Sequence, residues 1–320
     1  MRKLLILALD GVMDSSLTIT LDTLRTAQSF RERSRMRGGV EWAVISHRKT
    51  VHTGGGLRVN ADFTFRDVPA GAEWVLVPGL GLTSQRAIET RLAQSDAIAA
   101  MQLLRERRIA KRVAASCSSV FLLAEAGLLA GRAATTTWWL SQTFRERYPD
   151  VRLDESRMLV RDDRFLTAGS AYAQLDLVLA VVTEAMGPEI AHLCSRYMLI
   201  DQRASQARYM IPSHVRHVDP TVLAAERWID AHLAHPITIT DLASAVAVSP
   251  KTLARRITAA TGVSPVRFLQ RRRVMEAAHL IETTMLTLDT IAANVGYQDA
   301  TALRKIIKRE LGTTPSNLRK

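Results

Sequence analysis

The sequence predicts an α/β domain, with an open and mainly parallel sheet flanked by helices, followed by an all-α domain. Short apolar segments of strand length alternate with helix-length segments over roughly the first 170 residues. Strand patterns disappear after about residue 215, and one small two-helix unit then occurs twice in the last hundred residues. A chain of 320 residues is long enough for two domains that each bury their own core.

The first domain contains five apolar runs that have the length of buried strands. We predict strands at Lys3–Leu9, Glu41–Ser46, Trp74–Val77, Arg112–Ala115 and Phe165–Thr167. We predict helices at Leu17–Arg33, Thr90–Arg108, Ser118–Leu129, Ala171–Met186 and Pro188–Ile200. Alternation of this kind is typical of βα units around a parallel sheet that is covered on both faces.

The boundary between the domains is predicted from a change of pattern. Residues from Pro212 to Pro220 are polar and show no sustained hydrophobic period, which is typical of a linker. We therefore expect a first domain at 1–200, a linker at 201–219 and a second domain at 220–320.

Composition favours a polyanionic partner and a reducing compartment. The formal net charge is +12, and residues 221–320 hold 14 Lys and Arg against 8 Asp and Glu. A basic surface serves nucleic-acid binding or solubility equally well when it is taken alone. The two cysteines are too few for a disulfide framework, and no apolar run is long enough to span a membrane. We expect a cytoplasmic, nucleoid-associated protein with no membrane partner, no metal site and no cofactor.

The first two-helix unit lies at Thr240–Thr261. A short helix at Thr240–Val246 is followed by a turn, after which Ser249 and Pro250 suit the N-cap and first position of a second helix. Gly262 is placed to end that helix in the left-handed conformation.

The second unit repeats this arrangement. Leu288–Asn294 is its short helix, Gly296 lies in the turn, Asp299 suits the N-cap, and Ala300–Leu311 is the second helix. Gly312 ends it, as Gly262 ends the first unit, and a Ser/Thr-Pro pair follows both glycines.

The second helix of each unit predicts a cationic outer face. Leu253 and Ile257 should pack inward in the first unit, and Leu303 and Ile307 in the second. The side chains expected to project are Lys251, Arg255, Arg256, Arg304, Lys305, Lys308 and Arg309. Such helices enter the major groove of double-stranded DNA, where Arg and Lys contact phosphates and base edges. The alternative is a generic helical bundle with a solvated charged rim.

A long helix at Phe268–Thr283 is predicted to join the two units. It begins with the run Arg271-Arg272-Arg273, and its buried stripe is expected to be Val274, Ala277, Ala278 and Ile281. We expect this helix to fix the spacing of the two DNA-reading helices.

The motifs of this segment resemble the AraC/XylS DNA-binding domain. They are Leu242-Ala243, Ser249-x3-Leu253-x-Arg255-Arg256, Gly262-x-Ser264-Pro265, Ile291-Ala292-x3-Gly296-Tyr297-x-Asp299 and Gly312-x2-Pro315. The resemblance implies two recognition helices in successive major grooves of promoter DNA, about 34 Å apart. It implies DNA contacts at Lys251, Ala254, Arg255, Ala300, Thr301, Arg304 and Lys305, and we add Thr252, Arg256 and Lys308 from the same helices. Leu303 and Ile307 stand where aromatic residues are common in that family.

A cysteine lies at the turn between a predicted strand and a predicted helix of the first domain. Cys117 follows Arg112–Ala115 and precedes the helix that starts near Ser118, which is the geometry of a nucleophile elbow. The helix N-terminus is expected to lower the pKa of the Cys117 thiol. The alternative is a small buried cysteine without a chemical role.

Residues 1–200 resemble the PfpI-like, class I glutamine amidotransferase-like domain, which has a flavodoxin-like sheet. The resemblance rests on Cys117, on the segment Leu122–Leu129, on Gly131-Arg132-x-Ala134-Thr135, and on Thr167-Ala168-Gly169 with Asp176-Leu177. The complete chain resembles GlxA-type AraC regulators, which implies a homodimer.

The resemblance also implies that catalysis has been lost. Enzymatic relatives carry a histidine where this sequence has Thr137, and Ser16 stands where a carboxylate is expected. Because a thiolate nucleophile normally needs an adjacent base, we predict no enzyme activity and a vestigial Cys117. A cysteine-dependent amidase or hydrolase and a redox sensor that uses Cys117 are the alternatives.

A small-molecule pocket is expected at the carboxyl ends of the parallel strands, as in other open α/β sheets. We expect it to bind a small polar effector, such as an amino acid or an amine. An empty pocket in a domain that only dimerises is the alternative. The residues predicted to line the pocket are Asp10, Gly11, Asp14, Gly79, Leu80, Gly81, Cys117, Ser118 and Thr137.

Overall fold

The computed structural model describes residues 2–34, 39–201, 203, 205–210 and 219–319. The chain divides into two compact units, Met1–Arg203 and Ala204–Lys320. Within the described ranges, no helix is both long and apolar enough to cross a lipid bilayer.

The first unit is built on a seven-stranded sheet. The strands of the unit are β1 (Arg2–Leu7), β2 (Val40–Ser46), β3 (Thr50–His52), β4 (Arg58–Asn60), β5 (Phe63–Thr64), β6 (Ala72–Val77), β7 (Ala110–Ser116), β8 (Ala133–Ala134), β9 (Arg152–Leu153), β10 (Leu159–Asp162) and β11 (Phe165–Ala168). The order in the sheet is β10-β11-β7-β6-β1-β2-β5, and every pair is parallel except β10 with β11. The remaining strands form two small pairs, β3 with β4 and β8 with β9.

Helices cover both faces of this sheet. They are α1 (Asp14–Arg33), α2 (Gln85–Leu92), α3 (Ser95–Arg105), α4 (Val120–Glu125), α5 (Ser141–Arg147), α6 (Gln174–Met186) and α7 (Pro188–Tyr197). One group consists of α1, α6 and α7, which pack against one another, and α2, α3 and α4 form another. The consecutive residues Leu4–Leu7 of β1 are all buried, although their side chains alternate between the two faces. The expected α/β sheet is therefore confirmed.

The strand order places a switch point beside β1. From β1 the chain goes to β2 on one side, and it later reaches β6 on the other side. The carboxyl ends of β1, β6 and β7 lie at the same edge, because these neighbouring strands are parallel. This is the edge at which open α/β sheets bind ligands.

Several elements differ from the sequence prediction. The segment Thr90–Arg108 was expected to be one helix, but α2 ends at Leu92 and α3 begins at Ser95. The break coincides with Asp96, whose carboxylate accepts a bond from the backbone N–H of Ala97 and a bidentate pair from Arg91. These local bonds compete with a continuous helix.

The second unit is all helical among its described residues. Its helices are α8 (Pro220–His232), α9 (Ile239–Ala245), α10 (Pro250–Thr261), α11 (Pro265–Thr283), α12 (Leu288–Asn294), α13 (Ala300–Leu311) and α14 (Pro315–Leu318). The expected pairs of helices are α9 with α10 and α12 with α13.

The predicted linker at 201–219 is only partly described. A short 3-10 turn at Ala207–Tyr209 contacts α13, so this part of the segment packs with the second unit. Pro212, Ser213, His214, Arg216 and His217, on which the linker prediction rested, lie outside the described residues.

Helix α11 contributes to two separate cores of the second unit. Near its start, Phe268 and Leu269 pack with the buried residues of α8, α9 and α10. Further along, the stripe Val274, Ala277, Ala278 and Ile281 packs with α12, α13 and α14, as predicted. The two helix-turn-helix units therefore share one helix as part of their hydrophobic cores.

The helix ends follow the capping pattern of the sequence. Ser249 accepts a bond from the backbone N–H of Thr252, and Asp299 accepts one from Ala302. Gly262 and Gly312 end their helices in the left-handed region, with φ of 70° and 69°. The turn residue of each unit is also left-handed, but it is Ala247 in the first unit and Gly296 in the second, with φ of 54° and 74°.

Replacing Ala247 by glycine is expected to stabilise the all-helical part of the chain, residues 204–320. An L-residue with a Cβ is strained in the left-handed region, and the gain should be up to about 1 kcal/mol of unfolding free energy after the entropic cost of glycine. Chemical denaturation of wild-type and Ala247→Gly protein measures this difference. A lower unfolding free energy in the variant would contradict the expected strain.

Candidate nucleic-acid interface and thiol site

The outer face of α10 carries exposed cationic and small polar side chains. Leu253 and Ile257 are fully buried in the first core, which turns the opposite face of the helix outward. Lys251 and Arg255 are exposed on that face, and Thr252 and Ala254 are half-buried. Small side chains beside two cations allow close approach to a DNA backbone.

The outer face of α13 is more strongly basic. Leu303 and Ile307 are fully buried, whereas Thr301, Arg304, Lys305 and Lys308 are exposed. Arg304, Lys305 and Lys308 form no ion pair with any described residue, and neither do Lys251 and Arg255 of α10. Their charges are therefore available to phosphates.

Two of the predicted DNA-contacting residues have structural contacts instead. The guanidinium of Arg256 donates to Thr221 Oγ1 at 2.5 Å and to Asp219 Oδ1 at 3.4 Å, so it ties α10 to the start of α8. Ala300 is 95% buried, and its backbone N–H donates to Asp289 of α12. At sequence level, neither contact across the fold is visible.

A basic cleft that the sequence did not indicate lies beside α13. A cavity of about 370 Å³ is lined by Ile281, Leu288, Arg304, Pro315, Ser316 and Arg319. The guanidinium of Arg319 donates to the carbonyl of Leu286, which holds it close to the cleft. Arg319 follows the last helix, where helical periodicity gives no signal.

In the first unit, Cys117 occupies a sharp turn between β7 and α4. Its φ is 54°, which is uncommon for a residue other than glycine and is typical of a nucleophile elbow. The backbone N–H of Cys117 donates to Gly169, and the hydroxyl of Thr136 donates to the Cys117 carbonyl at 2.8 Å. Ser119 Oγ donates to the carbonyl of Pro78 and holds the turn against the loop after β6.

Hydroxyl groups without partners gather around this turn. Ser16, Ser116 and Thr137 are fully buried, and the hydroxyl oxygens of Ser16 and Ser116 have no hydrogen-bond partner among the described residues. A Cβ on Gly79 would lie 2.9 Å from the Cβ of Cys117, 3.2 Å from Ser16 Oγ and 3.4 Å from Ser116 Oγ. Glycine at this position is what allows the loop after β6 to approach the end of β7 and the first turn of α1.

The expectation of an acidic thiol at Cys117 is wrong. Burial raises the pKa of the Cys117 thiol, and the opposing hydrogen bonds from Ser118, Gly81 and Thr137 do not compensate for it. The side chain is completely buried, so loss of water outweighs the favourable end of a short helix. None of these neighbours is a base, and the thiol is protonated at neutral pH.

The other predicted pocket residues fall into two groups. Gly79, Leu80 and Gly81 belong to the loop after β6, and Ser118 accepts a bond from the backbone N–H of Leu82 in that loop. These residues are brought together with Cys117 and Thr137, as expected.

Asp10, Gly11 and Asp14 are instead bonded to the β3–β4 hairpin. Asp14 accepts bonds from the hydroxyl of Thr53 at 2.5 Å and from the backbone N–H of Gly55 at 2.8 Å. The bond from Thr53 contributes most to holding the pKa of Asp14 below its usual value. Asp10 and Gly11 bond to the backbone of His52. These contacts join the loop after β1 to the hairpin, and none of them is with the thiol.

A second polar cluster lies near the ends of β1 and β2. Donor atoms of Asp10, His47 and Asp96 lie within 4.8 Å of one another. Asp96 is already paired with Arg91 by two bonds of 2.6 and 2.8 Å, and both side chains are buried. Although burial opposes ionisation, the hydrogen bonds and charge of Arg91 keep the pKa of Asp96 below its usual value. Both carboxylate oxygens of Asp96 are already bound by this guanidinium, so Asp96 belongs to an ion pair.

Sequence reasoning placed the pocket at the loop that begins at Ser116 but did not single out the Ser116 hydroxyl, and it gave Ser16 no place in the pocket. Ser116 is the last residue of β7, and Ser16 lies in the first turn of α1. A serine that directly follows the apolar run Val113–Ala115 was the available signal for Ser116.

Native Cys117 is expected to resist alkylation at neutral pH, because its thiol is buried and protonated. Iodoacetamide labelling followed by peptide mass spectrometry should show slow modification, with a steep increase when the protein is unfolded in denaturant. Cys194 provides an internal comparison, since burial raises its pKa to about 11. Labelling of native Cys117 at the rate of an exposed cysteine would contradict this account.

Arg256→Ala and Arg255→Ala are expected to have different effects on stability. Arg256→Ala removes contacts to Thr221 and Asp219 and should lower the unfolding free energy by about 1 kcal/mol. The exposed side chain of Arg255 makes no such contact, and its removal should leave stability nearly unchanged. Thermal unfolding of the two variants distinguishes these outcomes, and equal losses would refute the assigned role of Arg256.

Comparisons with known proteins agree with this division of the chain. The DJ-1/PfpI family model matches residues 2–184, and a helix-turn-helix domain model matches residues 242–320. The HTH-type transcriptional regulator GbdR of Pseudomonas aeruginosa is 25% identical over 98% of this chain and 83% of its own length. The HTH-type transcriptional regulator GlxA of Rhizobium meliloti is 26% identical over 68% of each chain.

A solved structure shows the same fold for the first part of the chain. It is an AraC family transcriptional regulator from Pseudomonas putida, with a TM-score of 0.51 and 18% identity, and the match covers 62% of this chain and 100% of that one. The family model of the first unit covers more than half of the sequence. The chain therefore belongs to the DJ-1/PfpI family and joins that domain to a C-terminal helix-turn-helix domain of the AraC type.

Proposed function

We propose that this protein is a sequence-specific DNA-binding transcription regulator, and that its first unit senses a small polar metabolite without catalysing a reaction. The observation that carries the proposal is the pair of helix-turn-helix units. Each one buries the inner face of its second helix and leaves unpaired cations on the outer face.

The DNA-binding residues of the proposal are on α10 and α13. Lys251 and Arg255 are the cations of the first helix, and Arg304, Lys305 and Lys308 are those of the second. Exposed arginines at such positions bind guanine edges and phosphates, and lysines bind mainly phosphates. Thr252, Ala254 and Thr301 are proposed to lie against the DNA surface.

We propose that the effector binds beside Cys117. The hydroxyls of Ser16 and Ser116 are buried groups that still need hydrogen-bond partners, which supports a ligand with polar groups. Amino acids and small amines have suitable chemistry. We also propose that the protein acts as a homodimer in the cytoplasm, bound to the nucleoid.

A cysteine hydrolase is the less favoured alternative. Burial raises the pKa of Cys117, and Thr137 stands where a base would be needed. The raised pKa argues equally against a peroxide sensor, because oxidation starts from the thiolate. An amidase activity that disappears in Cys117→Ser protein would restore the first alternative, and a peroxide response that disappears in Cys117→Ala protein would restore the second.

Arg255→Ala and Arg304→Ala are expected to weaken opposite halves of one DNA footprint. Each variant removes one cation from one recognition helix, and affinity should fall by about tenfold to a hundredfold. Footprinting of the full-length protein on genomic fragments identifies the site and the protected halves. Arg227→Ala is the matched control, since Arg227 is an exposed arginine of α8 and is part of neither α10 nor α13.

Binding should also weaken steeply as salt concentration rises, because the cations release counterions from the phosphates. A full-length protein that prefers no genomic fragment over random duplex, at moderate salt and with every metabolite tested, would rule out the proposed function.

Ser116→Ala is expected to abolish the response to an effector while DNA binding remains. Calorimetric titration with a panel of amino acids and quaternary amines should give binding to wild-type protein and at least tenfold weaker binding to the variant, since one hydrogen bond is lost. Thr18→Ala, at an exposed position of α1, is the control. Equal affinity of both proteins for a panel member would place its site elsewhere.

A further inference from the structure

The two helix-turn-helix units meet at one half-buried joint around Arg273 of α11. Its Nη1 donates to the carbonyl of Gly296 at 3.1 Å, and its Nη2 donates to the carbonyl of His235 at 2.8 Å. Gly296 is the turn residue of the second unit, whereas His235 follows α8, which packs into the core of the first unit. One guanidinium therefore binds backbone carbonyls that belong to, or pack with, both helix-turn-helix units.

The ring of Tyr297 completes the joint. The guanidinium carbon of Arg273 lies 5.8 Å from the ring centroid, within the range of a cation–π contact. Burial lowers the pKa of Arg273 and raises that of Tyr297, and both side chains are half-buried. A planar fork that binds two carbonyls in fixed directions restricts the angle between the units more than a lysine would.

Gly296 brings the two helix-turn-helix units into direct contact. A Cβ at this position would lie 2.4 Å from the carbonyl oxygen of Leu233 and 2.6 Å from Nη2 of Arg273. Leu233 is the C-cap of α8, which packs with the first helix-turn-helix unit. The backbone at Leu233 therefore lies against the turn of the second helix-turn-helix unit. The equivalent turn residue of the first unit, Ala247, is exposed. The two units are therefore equivalent in sequence pattern but not in packing.

The joint lies between the two reading helices rather than on them. Arg273 is part of neither α10 nor α13, and its guanidinium is engaged with the protein backbone. Its neighbour Arg272 binds Asp230 of α8. The described partners of Arg272 all lie on α8, which packs with the first helix-turn-helix unit. The described hydrogen bonds of Arg273 reach the backbone of both helix-turn-helix units.

We propose that the Arg273–Gly296 joint sets the spacing between DNA half-sites that this protein accepts, with Arg273 as a positioning residue. The inference rests on the proposed DNA-binding function. Inserting one base pair between half-sites rotates one relative to the other by about a tenth of a helical turn. A rigid joint cannot follow that rotation, whereas a loosened one can.

The test measures spacing selectivity rather than affinity alone. The natural site is first identified by footprinting with full-length protein, and duplexes are then made with one base pair added to or removed from the segment between the half-sites. Wild-type protein should bind each altered duplex about tenfold or more weakly than the natural one. Arg273→Met should reduce this ratio to about threefold or less.

Two further variants complete the experiment. Gly296→Ala, whose methyl group would meet the Leu233 carbonyl, should also reduce the spacing ratio. Arg227→Met, which removes an exposed arginine from α8, should retain the wild-type ratio. If circular dichroism shows that Arg273→Met is unfolded, Arg273→Lys decides the question, because lysine keeps the charge and loses the fork. Its spacing ratio should fall at least threefold.

Several outcomes overturn the proposal. A wild-type protein that binds its site selectively but tolerates all spacings would do so, and this result leaves the proposed function intact. A folded Arg273→Met or Arg273→Lys variant that keeps the wild-type spacing ratio would do so as well. Absence of selective binding by wild-type protein would refute the proposed function together with the joint.

Discussion

Helix α11 is the element on which the second unit depends, because one helix has to satisfy two cores. Its first two turns bury Phe268 and Leu269 against the first helix-turn-helix unit. Its later turns bury the stripe from Val274 to Ile281 against the second helix-turn-helix unit. A rigid helix of fixed pitch therefore determines how far apart the two cores lie. Short helices such as α9 and α12 would be marginal alone and depend on this packing.

In the first unit, burial controls chemistry in the same way that it controls packing. The turn at Cys117 has the strained backbone of a reactive cysteine, and a short helix follows it. The close approach at Gly79 removes water from the thiol, and desolvation then dominates its pKa. The backbone shape of a nucleophile elbow is thus compatible with a buried thiol whose pKa is raised.

Much of the fold could be predicted from the sequence, because it follows from periodicity and caps. Five of the seven strands of the central sheet were predicted near their observed positions, and α12 and α13 have the predicted bounds. Two-residue and three-residue strands such as β5 and β3 were missed, since so few residues show no alternation. The division of Thr90–Arg108 depended on a buried ion pair, which local patterns cannot reveal.

The candidate sites were predictable only where one side chain suffices to define the role. Exposed cations on α10 and α13 follow from helical phase, and Lys251, Arg255, Arg304 and Lys305 lie as expected. Arg256 and Ala300 were assigned to the same surface, but contacts with Asp219, Thr221 and Asp289 determine their surroundings. The protonation of Cys117 depends on the whole neighbourhood, so a strand–turn–helix pattern gave the wrong direction.

The different turns of the duplicated units have a consequence for how such a domain can diverge. Four residues separate α9 from α10, whereas five separate α12 from α13. The exposed turn of the first unit can accept new residues and lengths, while the second is confined by the Leu233 carbonyl and a guanidinium. During evolution, the turn of the first helix-turn-helix unit can therefore change in sequence and length, whereas the turn of the second must keep glycine at position 296.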